Sequence, residues 1–351
     1  MTAPAAPSTL GFGIVGLGMV AEFHAQAIAS LRGAKLIGAA TRSAAKVDAF
    51  AKKHRLAFAT TNLAALVARP DIHVICITTP SAMHLEPALA AIRAGKHVVI
   101  EKPIEVTTAR ADDILRAADA AGVRLAPIFQ ARFGDGARLV KAAIDSGRLG
   151  RLVLASGYVK WHRTAQYYTG TRGSWSHDGG GAVMAQAIHG IDLLQWFAGM
   201  PAEIFAWDTR RVYPHIAAED TAVAALKFAS GALGAFEAST AVWPGWSRRH
   251  EICGEHGSVV LEDDRIVRWE FREARPEDEA IRASGQTSAL GSGASNPGSI
   301  SPEGHRRQLQ DFVDAIHEGR PPLLDGHEGR KAIAFVNAIY DSAKRGAPVK
   351  L

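Results

Sequence analysis

Leu10-Gly11-Phe12-Gly13-Ile14-Val15-Gly16-Leu17-Gly18-Met19-Val20-Ala21 decides the architecture of this chain. Its first half is a short apolar run with glycine spaced through it, which reads as a strand. Its second half matches G-x-G-x-x-G/A, and the pattern predicts a helix from about Val20 to Leu31, with Phe23, Ile28 and Leu31 on its inner face. Each small residue has a physical reason to be there. Gly16 permits the tight turn, Gly18 lets a diphosphate approach the backbone, and Ala21 lets the helix pack close to the strand. The N–H groups at the helix start then face the phosphates. Gly16, Gly18, Met19 and Val20 are therefore expected to bind a dinucleotide.

The next strand, Lys35 to Thr41, should end at the adenosine ribose. An NAD site usually places Asp or Glu there. This chain offers Thr41-Arg42-Ser43. A guanidinium and two hydroxyls suit a 2′-phosphate that a carboxylate would repel, so the reading is NAD(P), with NADP favoured over NAD.

The α/β alternation continues. Helices are expected over Ala44 to His54 and Leu63 to Ala68, a strand over Ile72 to Thr78, a helix over His84 to Ala94, and a helix over Thr107 to Ala121. Val123 to Gln130 reads as the last strand. Strands separated by helical stretches mean a doubly wound parallel sheet. Thr78, Thr79 and Pro80 end one strand and should border the cofactor. His84 lies one turn into the following helix and joins that set, as does Gln130.

Between those helices lies His97-Val98-Val99-Ile100-Glu101-Lys102-Pro103. The β-branched run is a buried strand. Pro103 forces Lys102 into an extended conformation and stops it. Ligands of open parallel sheets sit at the carboxyl ends of the strands. Lys102 should look into the site, with Glu101 beside the cofactor.

After about residue 130 the texture changes. A helix over Gly136 to Ser146 gives way to strand patterns: Leu152 to Trp161, Glu203 to Val212, Thr221 to Phe228, Ala232 to Val242, His250 to Gly254, Ser258 to Leu261 and Ile266 to Phe271. This predicts an α+β domain with a large, mostly antiparallel, open sheet. The expected division is a loose tail over 1–9, a Rossmann domain over 10–130 and a substrate and oligomerisation domain over 131–351. Ser284 to Ser301 is Gly/Ser-rich and reads as a flexible loop. Two helices close the chain, Pro302 to Glu318 and Gly326 to Arg345.

Trp175 to Gly199 is the second chemical segment. Gly179-Gly180-Gly181 precedes a helix expected to run to Phe197, with Ala185, Gln186, His189 and Asp192 on one face at helical spacing. The triglycine permits close backbone approach, and the helix start reads as a place for an oxygen anion.

These motifs resemble the glucose–fructose oxidoreductase / inositol dehydrogenase / rhizopine catabolism (Gfo/Idh/MocA) family. The likeness rests on Gly16 to Ala21, Thr79-Pro80 with His84, Gly95-Lys96-His97 running into Glu101-Lys102-Pro103, and Gly179-Gly180-Gly181 leading to His189-Gly190-Ile191-Asp192. Ser342 to Val349 is similar too, so the resemblance covers the chain from about residue 10. It implies an NAD(P)-dependent oxidoreductase acting on sugars, cyclitols or their derivatives. It also implies that Lys102 and His189 flank the reacting carbinol, and that the protein is a homodimer or homotetramer formed through the second sheet. His189 would take the hydroxyl proton; an imidazole that titrates near pH ~6.5 suits that role. Lys102 would hydrogen-bond the same oxygen. Family members often carry Asp or Asn four residues before the histidine. Here that place is Ala185, with Gln186 and Asp192 the candidate substitutes.

Polar residues between Lys160 and Trp175 are candidates for holding sugar hydroxyls: His162, Arg163, Tyr168, Arg172 and Trp175. Trp175 offers a face for stacking. Arg163 or Arg172 would suit a carboxylate or phosphate, as in a uronate or a nucleotide sugar. Two rival readings stand beside a free dehydrogenase. One is a non-catalytic dinucleotide sensor, favoured by Ala185; the other is a sugar–sugar oxidoreductase that recycles a tightly held cofactor.

Composition removes other classes. Among 351 residues, 47 % are hydrophobic and 21 % charged, which suits two sizeable cores. The net charge of +5 is spread along the chain, without the clustered Lys/Arg of a nucleic-acid arm. No apolar run is long enough to span a membrane. Cys76 and Cys253 lie far apart with no metal-ligand spacing, so neither a disulfide framework nor a metal site is expected. Met1 to Thr9 lacks the pattern of a signal peptide, and the expectation is a cytoplasmic protein.

Overall fold

The computed structural model describes residues 7–284, 289–291, 293–295 and 301–351. Most of the expected tail, and part of the Gly/Ser-rich segment, lie outside the described residues. The Cα packing divides the chain into two compact units, one running up to Gln130 and including Pro302–Arg330, the other Ala131–Ser301 with Lys331–Leu351.

The first unit is a six-stranded parallel sheet. Its strands are β1 (Leu10–Val15), β2 (Ala34–Ala40), β3 (Phe58–Thr60), β4 (Val74–Ile77), β5 (His97–Ile100) and β6 (Leu125–Pro127), in the order β3-β2-β1-β4-β5-β6. The order reverses between β1 and β4, which opens a crevice at their carboxyl ends. Leu10, Phe12, Ile14, Val74, Val98, Val99 and Ile100 are all buried. Each such side chain stabilises the fold by about 1.5–3 kcal/mol relative to an exposed one. The three-residue β3 is too short to show alternation, and the sequence pattern does not reveal it. The expected strand Val123–Gln130 shrinks to β6, and Gln130–Phe133 forms a 3-10 turn instead.

One boundary is corrected. The sequence assigns residues 302–330 to the second domain, but they pack with the first. The helix Glu303–Glu318 adds Leu309, Phe312 and Val313 to the cluster of Phe12, Ile14, Ala21 and Ile28 beneath the helix Met19–Ala29. An amphipathic helix follows the apolar surface available to it, not its position in the chain.

The second unit holds an eight-stranded sheet: β7 (Leu152–Lys160), β8 (Pro201–Thr209), β9 (Thr221–Phe228), β10 (Leu233–Ser239), β11 (Arg249–Gly254), β12 (Gly257–Glu262), β13 (Arg265–Phe271) and β14 (Val349–Lys350). Their order is β13-β12-β11-β7-β10-β9-β8-β14. All neighbours are antiparallel except β7 and β10, which run parallel. In β9, Ala222, Ala224, Leu226 and Phe228 are buried while Val223 is exposed. One face is therefore core and the other open. A short helix, Glu277–Ser284, is an addition to the expected elements; Asp278 anchors it through Arg148 and the indole N–H of Trp269.

Candidate active site

The first unit supplies a phosphate cradle. Gly16 has φ +93°, and a Cβ there would lie 2.7 Å from the Thr79 nitrogen, so glycine is required where β1 turns beside the end of β4. Around Gly18 the opposite holds: among the described residues nothing lies within 4 Å of the place a Cβ would occupy. Gly18 starts the helix Met19–Ala29 with no side chain capping it, and Met19 is half exposed beside it. Open space against an uncapped helix N-terminus fits a dinucleotide diphosphate. Thr78 is buried, its hydroxyl donating to the carbonyls of Val15 and Gly16; Thr79 and Pro80 are half-buried. Among the described residues the buried Oε1 of Gln130 has no hydrogen-bond partner, which leaves a polar atom for a ligand to meet.

At the ribose end, Arg42 is exposed, its Nη2 4.0 Å from the Met83 sulfur, and Thr41 is half-buried. Ser43 caps the helix Ala44–His54 by accepting from the Lys46 N–H.

Two expected cofactor ligands turn out to be internal. His84 is fully buried; Nδ1 lies 2.8 Å from the Pro103 carbonyl and Nε2 2.9 Å from the Thr79 carbonyl. It braces the loop after β4 against the loop after β5 rather than facing a ligand. Glu105 does the same from the other side, accepting from the Leu85 N–H and from Arg110. Glu101 is buried as well. Its Oε1 accepts from His24 Nε2 at 2.8 Å and from His305 Nε2 at 3.4 Å, and its Oε2 from the Lys102 N–H at 3.2 Å. Burial works to raise the Glu101 carboxyl, yet the hydrogen bonds from His24 and His305 hold it well below the usual carboxylate range. Burial lowers His24 against the pull of Glu101. The three groups lie within 4.8 Å of one another, close enough for a cation, a set the sequence spacing does not show. Here each histidine is hydrogen-bonded to Glu101. Lys102, half-buried, follows this cluster at the carboxyl end of β5, and its peptide bond to Pro103 is cis.

The second unit supplies His189, 8 % exposed, as the second residue of the helix Ile188–Ala198. The turn before it is not the α-helix that the sequence predicts. Ala182–Ala187 is a π-helix, whose wider turn breaks the three-and-four spacing that would put Ala185, Gln186, His189 and Asp192 on one face. The expected anion site at the triglycine is also corrected. The Gly179 N–H donates to the Trp175 carbonyl, and the Gly181 N–H donates at 3.0 Å to a buried carboxylate, Glu219, which also accepts from Val183 at 2.8 Å. A Cβ on Gly181 would lie 1.8 Å from the Glu219 carbonyl oxygen, so the close approach that glycine permits is to this chain's own backbone. Burial pushes the Glu219 carboxyl up to about 7 against the pull of those hydrogen bonds.

Asp192 is no substitute partner for substrate. Both its oxygens are held at 2.7 Å by Arg132, whose guanidinium also lies over the Trp196 ring; the pair is buried. Arg163 is turned inward too. Its Nη atoms donate to the carbonyls of His162, Gly293 and Ala294 and to Gln186 Oε1. Burial lowers its guanidinium. Gln186 in turn donates to the Tyr167 hydroxyl at 2.7 Å. Tyr168 is buried, bonded to the Thr240 hydroxyl. His162 bridges to Ala241 and meets Trp243 edge-on. Arg172 remains exposed, stacked over Tyr167 at 4.6 Å and donating to its hydroxyl; among the described residues it pairs with no carboxylate. Trp175 is 46 % exposed.

Sequence reasoning missed Arg132, Glu219, Tyr340, His24 and His305. The pair Glu219-Asp220 before an alternating strand is a visible signal, two acids where a strand should start. The other four are separated in sequence from the groups they serve.

Two family descriptions match the chain: an oxidoreductase family with an NAD-binding Rossmann fold over residues 10–129, and the GFO/IDH/MocA C-terminal domain over residues 137–260. The WlbA dehydrogenase of Bordetella pertussis, crystallised with NADH and UDP-GlcNAcA, is 31 % identical, covers 99 % of each chain and superposes with a TM-score of 0.89. An oxidoreductase of Synechocystis is 30 % identical over 269 residues, 72 % of this chain and 71 % of its own. The inositol 2-dehydrogenase of Rhizobium meliloti is 25 % identical over 344 residues, 95 % of this chain and 97 % of its own. Among the described residues no helix is long and apolar enough to cross a membrane. With a glycine cradle on a 3-2-1-4-5-6 sheet and a histidine helix on an eight-stranded one, the chain belongs to the GFO/IDH/MocA family of NAD-binding oxidoreductases.

Proposed function

We propose that the chain moves a hydride between nicotinamide and a secondary alcohol or ketone of an acidic sugar, free or nucleotide-linked. The observation that carries the acidic class is Arg172, an exposed guanidinium 4.6 Å over the Tyr167 ring and paired with no carboxylate among the described residues. Tyr167 is joined through Gln186 to the turn that leads into His189, so this cation is tied to the element that carries the proposed base. A relative crystallised with UDP-GlcNAcA supports the class. The bound nicotinamide supplies or accepts the hydride. His189 takes the hydroxyl proton, and Lys102 hydrogen-bonds the same oxygen as charge develops on it. These two roles rest on the family resemblance. Trp175 offers its exposed ring to a sugar face.

Turnover of UDP-GlcNAcA, glucuronate, myo-inositol and glucose, followed by nicotinamide absorbance, tests this. The expected result is preference for the acids, with Arg172→Ala raising KM about 10–100-fold, the worth of one charge-assisted contact of roughly 1.5–3 kcal/mol, and leaving kcat near its starting value. Equal use of inositol with no effect of Arg172→Ala refutes the acidic class. Ala185 keeps a second reading in view, the non-catalytic sensor, which tight cofactor binding with no turnover on any alcohol would favour. A cofactor that survives gel filtration would favour internal recycling.

The ribose end supports NADP over NAD. With Ser43 partly spent as a helix cap, the preference falls to Arg42. NADPH should bind more tightly than NADH by fluorescence quenching, and Arg42→Ala should erase the difference, about tenfold for one charge-assisted bond. Equal affinities in the unaltered protein would assign NAD. The open sheet face carries exposed Leu154 paired with Leu233, and Trp207 paired with Val223. That apolar face is where we place the homodimer or homotetramer contact.

A further inference from the structure

An ordinary helix leaves its first four N–H groups without a partner. The turn leading to His189 leaves none of them so. Gly181 N–H donates to Glu219 Oε2 at 3.0 Å, Ala182 N–H to the Glu219 carbonyl at 2.9 Å, and Val183 N–H to Glu219 Oε1 at 2.8 Å. Met184 N–H donates to the Tyr340 hydroxyl at 3.2 Å, and that hydroxyl donates onward to Glu219 Oε1 at 3.0 Å. Four consecutive amides thus end on two residues, one just before β9 and one on the helix Gly326–Arg345.

We infer that Glu219 and Tyr340 are positioning residues, a clamp that holds the π-helical turn Ala182–Ala187 in register and so fixes where the His189 imidazole points. The π-turn is the weak place in the element, since its wider spacing gives up the regular ladder. Beyond it the helix is secured independently. His250 Nε2 donates to the Gly190 carbonyl at 2.8 Å, and Arg132 grips Asp192. Between the π-turn and those anchors lie Ile188 and His189, so a slip of the turn is taken up at the backbone of these two residues. The clamp also reaches the candidate sugar platform. Trp175 meets Tyr340 edge-on at 5.0 Å, and its indole N–H donates to the Ala217 carbonyl, two residues before Glu219. One pair of side chains therefore references the base and the stacking ring to each other. Positional control of this kind matters because a misplacement of about 1 Å in a reacting group can cost on the order of 10²-fold in rate.

The proposal rests on the reading of His189 as the base, but its test does not need a substrate. Tyr340→Phe removes one hydroxyl, and Glu219→Gln exchanges one acceptor for a donor that faces N–H groups. In histidine-labelled whole protein, His189 is assigned by the resonance lost in His189→Asn. In both clamp variants that resonance should shift or split, while those of His24 and His305 stay in place. Hydrogen exchange of the Gly181–Met184 amides should quicken by about tenfold or more, the loss of roughly 1.4 kcal/mol of protection. If Glu219→Gln does not fold, Tyr340→Phe alone decides. A lowered melting temperature with an unmoved His189 resonance assigns the pair to stability only and overturns the proposal, as does unchanged exchange. A turnover unaffected by His189→Asn would instead remove the base reading and leave the clamp as a structural fact.

Discussion

Replacing His189 by Asn is expected to cut kcat and kcat/KM together by roughly 10²–10⁴-fold, the usual worth of a positioned general acid or base. Cofactor affinity should stay within about twofold, because the phosphate cradle lies in the other unit on β1 and its helix. Asn keeps a planar polar group in a smaller volume, so the buried helix Ile188–Ala198 is preserved. Loss that appears equally in both parameters marks an interaction made as the proton leaves, not one spent on holding the sugar. The same experiment on Lys102 separates the two roles. Lys102→Met keeps most of the length of the stem but removes the donor to the developing oxyanion, and a loss of about 10²–10³-fold is expected from one such donor. A His189→Asn protein within about threefold of the starting kcat would transfer the proton chemistry to another group and sink the assignment.

Breaking the buried Arg132–Asp192 pair should produce a large loss of stability in the second unit. Both oxygens of Asp192 are held at 2.7 Å, the aspartate side chain is 0 % exposed and the arginine 4 %. Removing either partner leaves a charge buried without compensation, which costs about 3–5 kcal/mol. Arg132→Ala and Asp192→Ala should each lower the denaturation midpoint by a comparable amount. The double variant should lose much less than the sum, since no uncompensated charge remains. Strict additivity in that cycle would mean the two side chains act separately, contrary to the observed geometry. The pair also bears on activity. Asp192 lies one turn beyond His189, so the single variants are expected to lose kcat through the helix they loosen.

These two expectations differ in how legible they are from the chain alone. His189 stands out because its helix follows a triglycine and because that segment resembles a family motif. Arg132 does not. It sits 60 residues from Asp192 in sequence, in a short 3-10 turn, and only the packing of that turn against the histidine helix brings the charges together. Asp192 therefore reads as a group available to substrate when it is spent internally. Arg163 misleads in the same way. A cation near a tyrosine-rich segment reads as an anion binder, but four acceptors already surround its guanidinium.

Local patterns, by contrast, carry the architecture. Strand-turn-helix at Leu10–Ala21, the β-branched run ending at Lys102-Pro103 and period-two alternation beyond residue 150 each report short-range sterics or burial, which a linear chain expresses directly. They set the two sheet types and the dinucleotide cradle, while the choice of Lys102 and His189 as the residues to test came from the family resemblance. Tertiary structure alone decided which polar groups face inward. It assigned the amides of Gly181, Ala182, Val183 and Met184 to Glu219 and Tyr340, closed Glu101 between His24 and His305, and moved the helix Glu303–Glu318 onto the nucleotide-binding unit. Each of those outcomes depends on a partner distant in sequence. A buried polar group must find an acceptor or donor wherever the fold supplies one, and no local pattern encodes where that is.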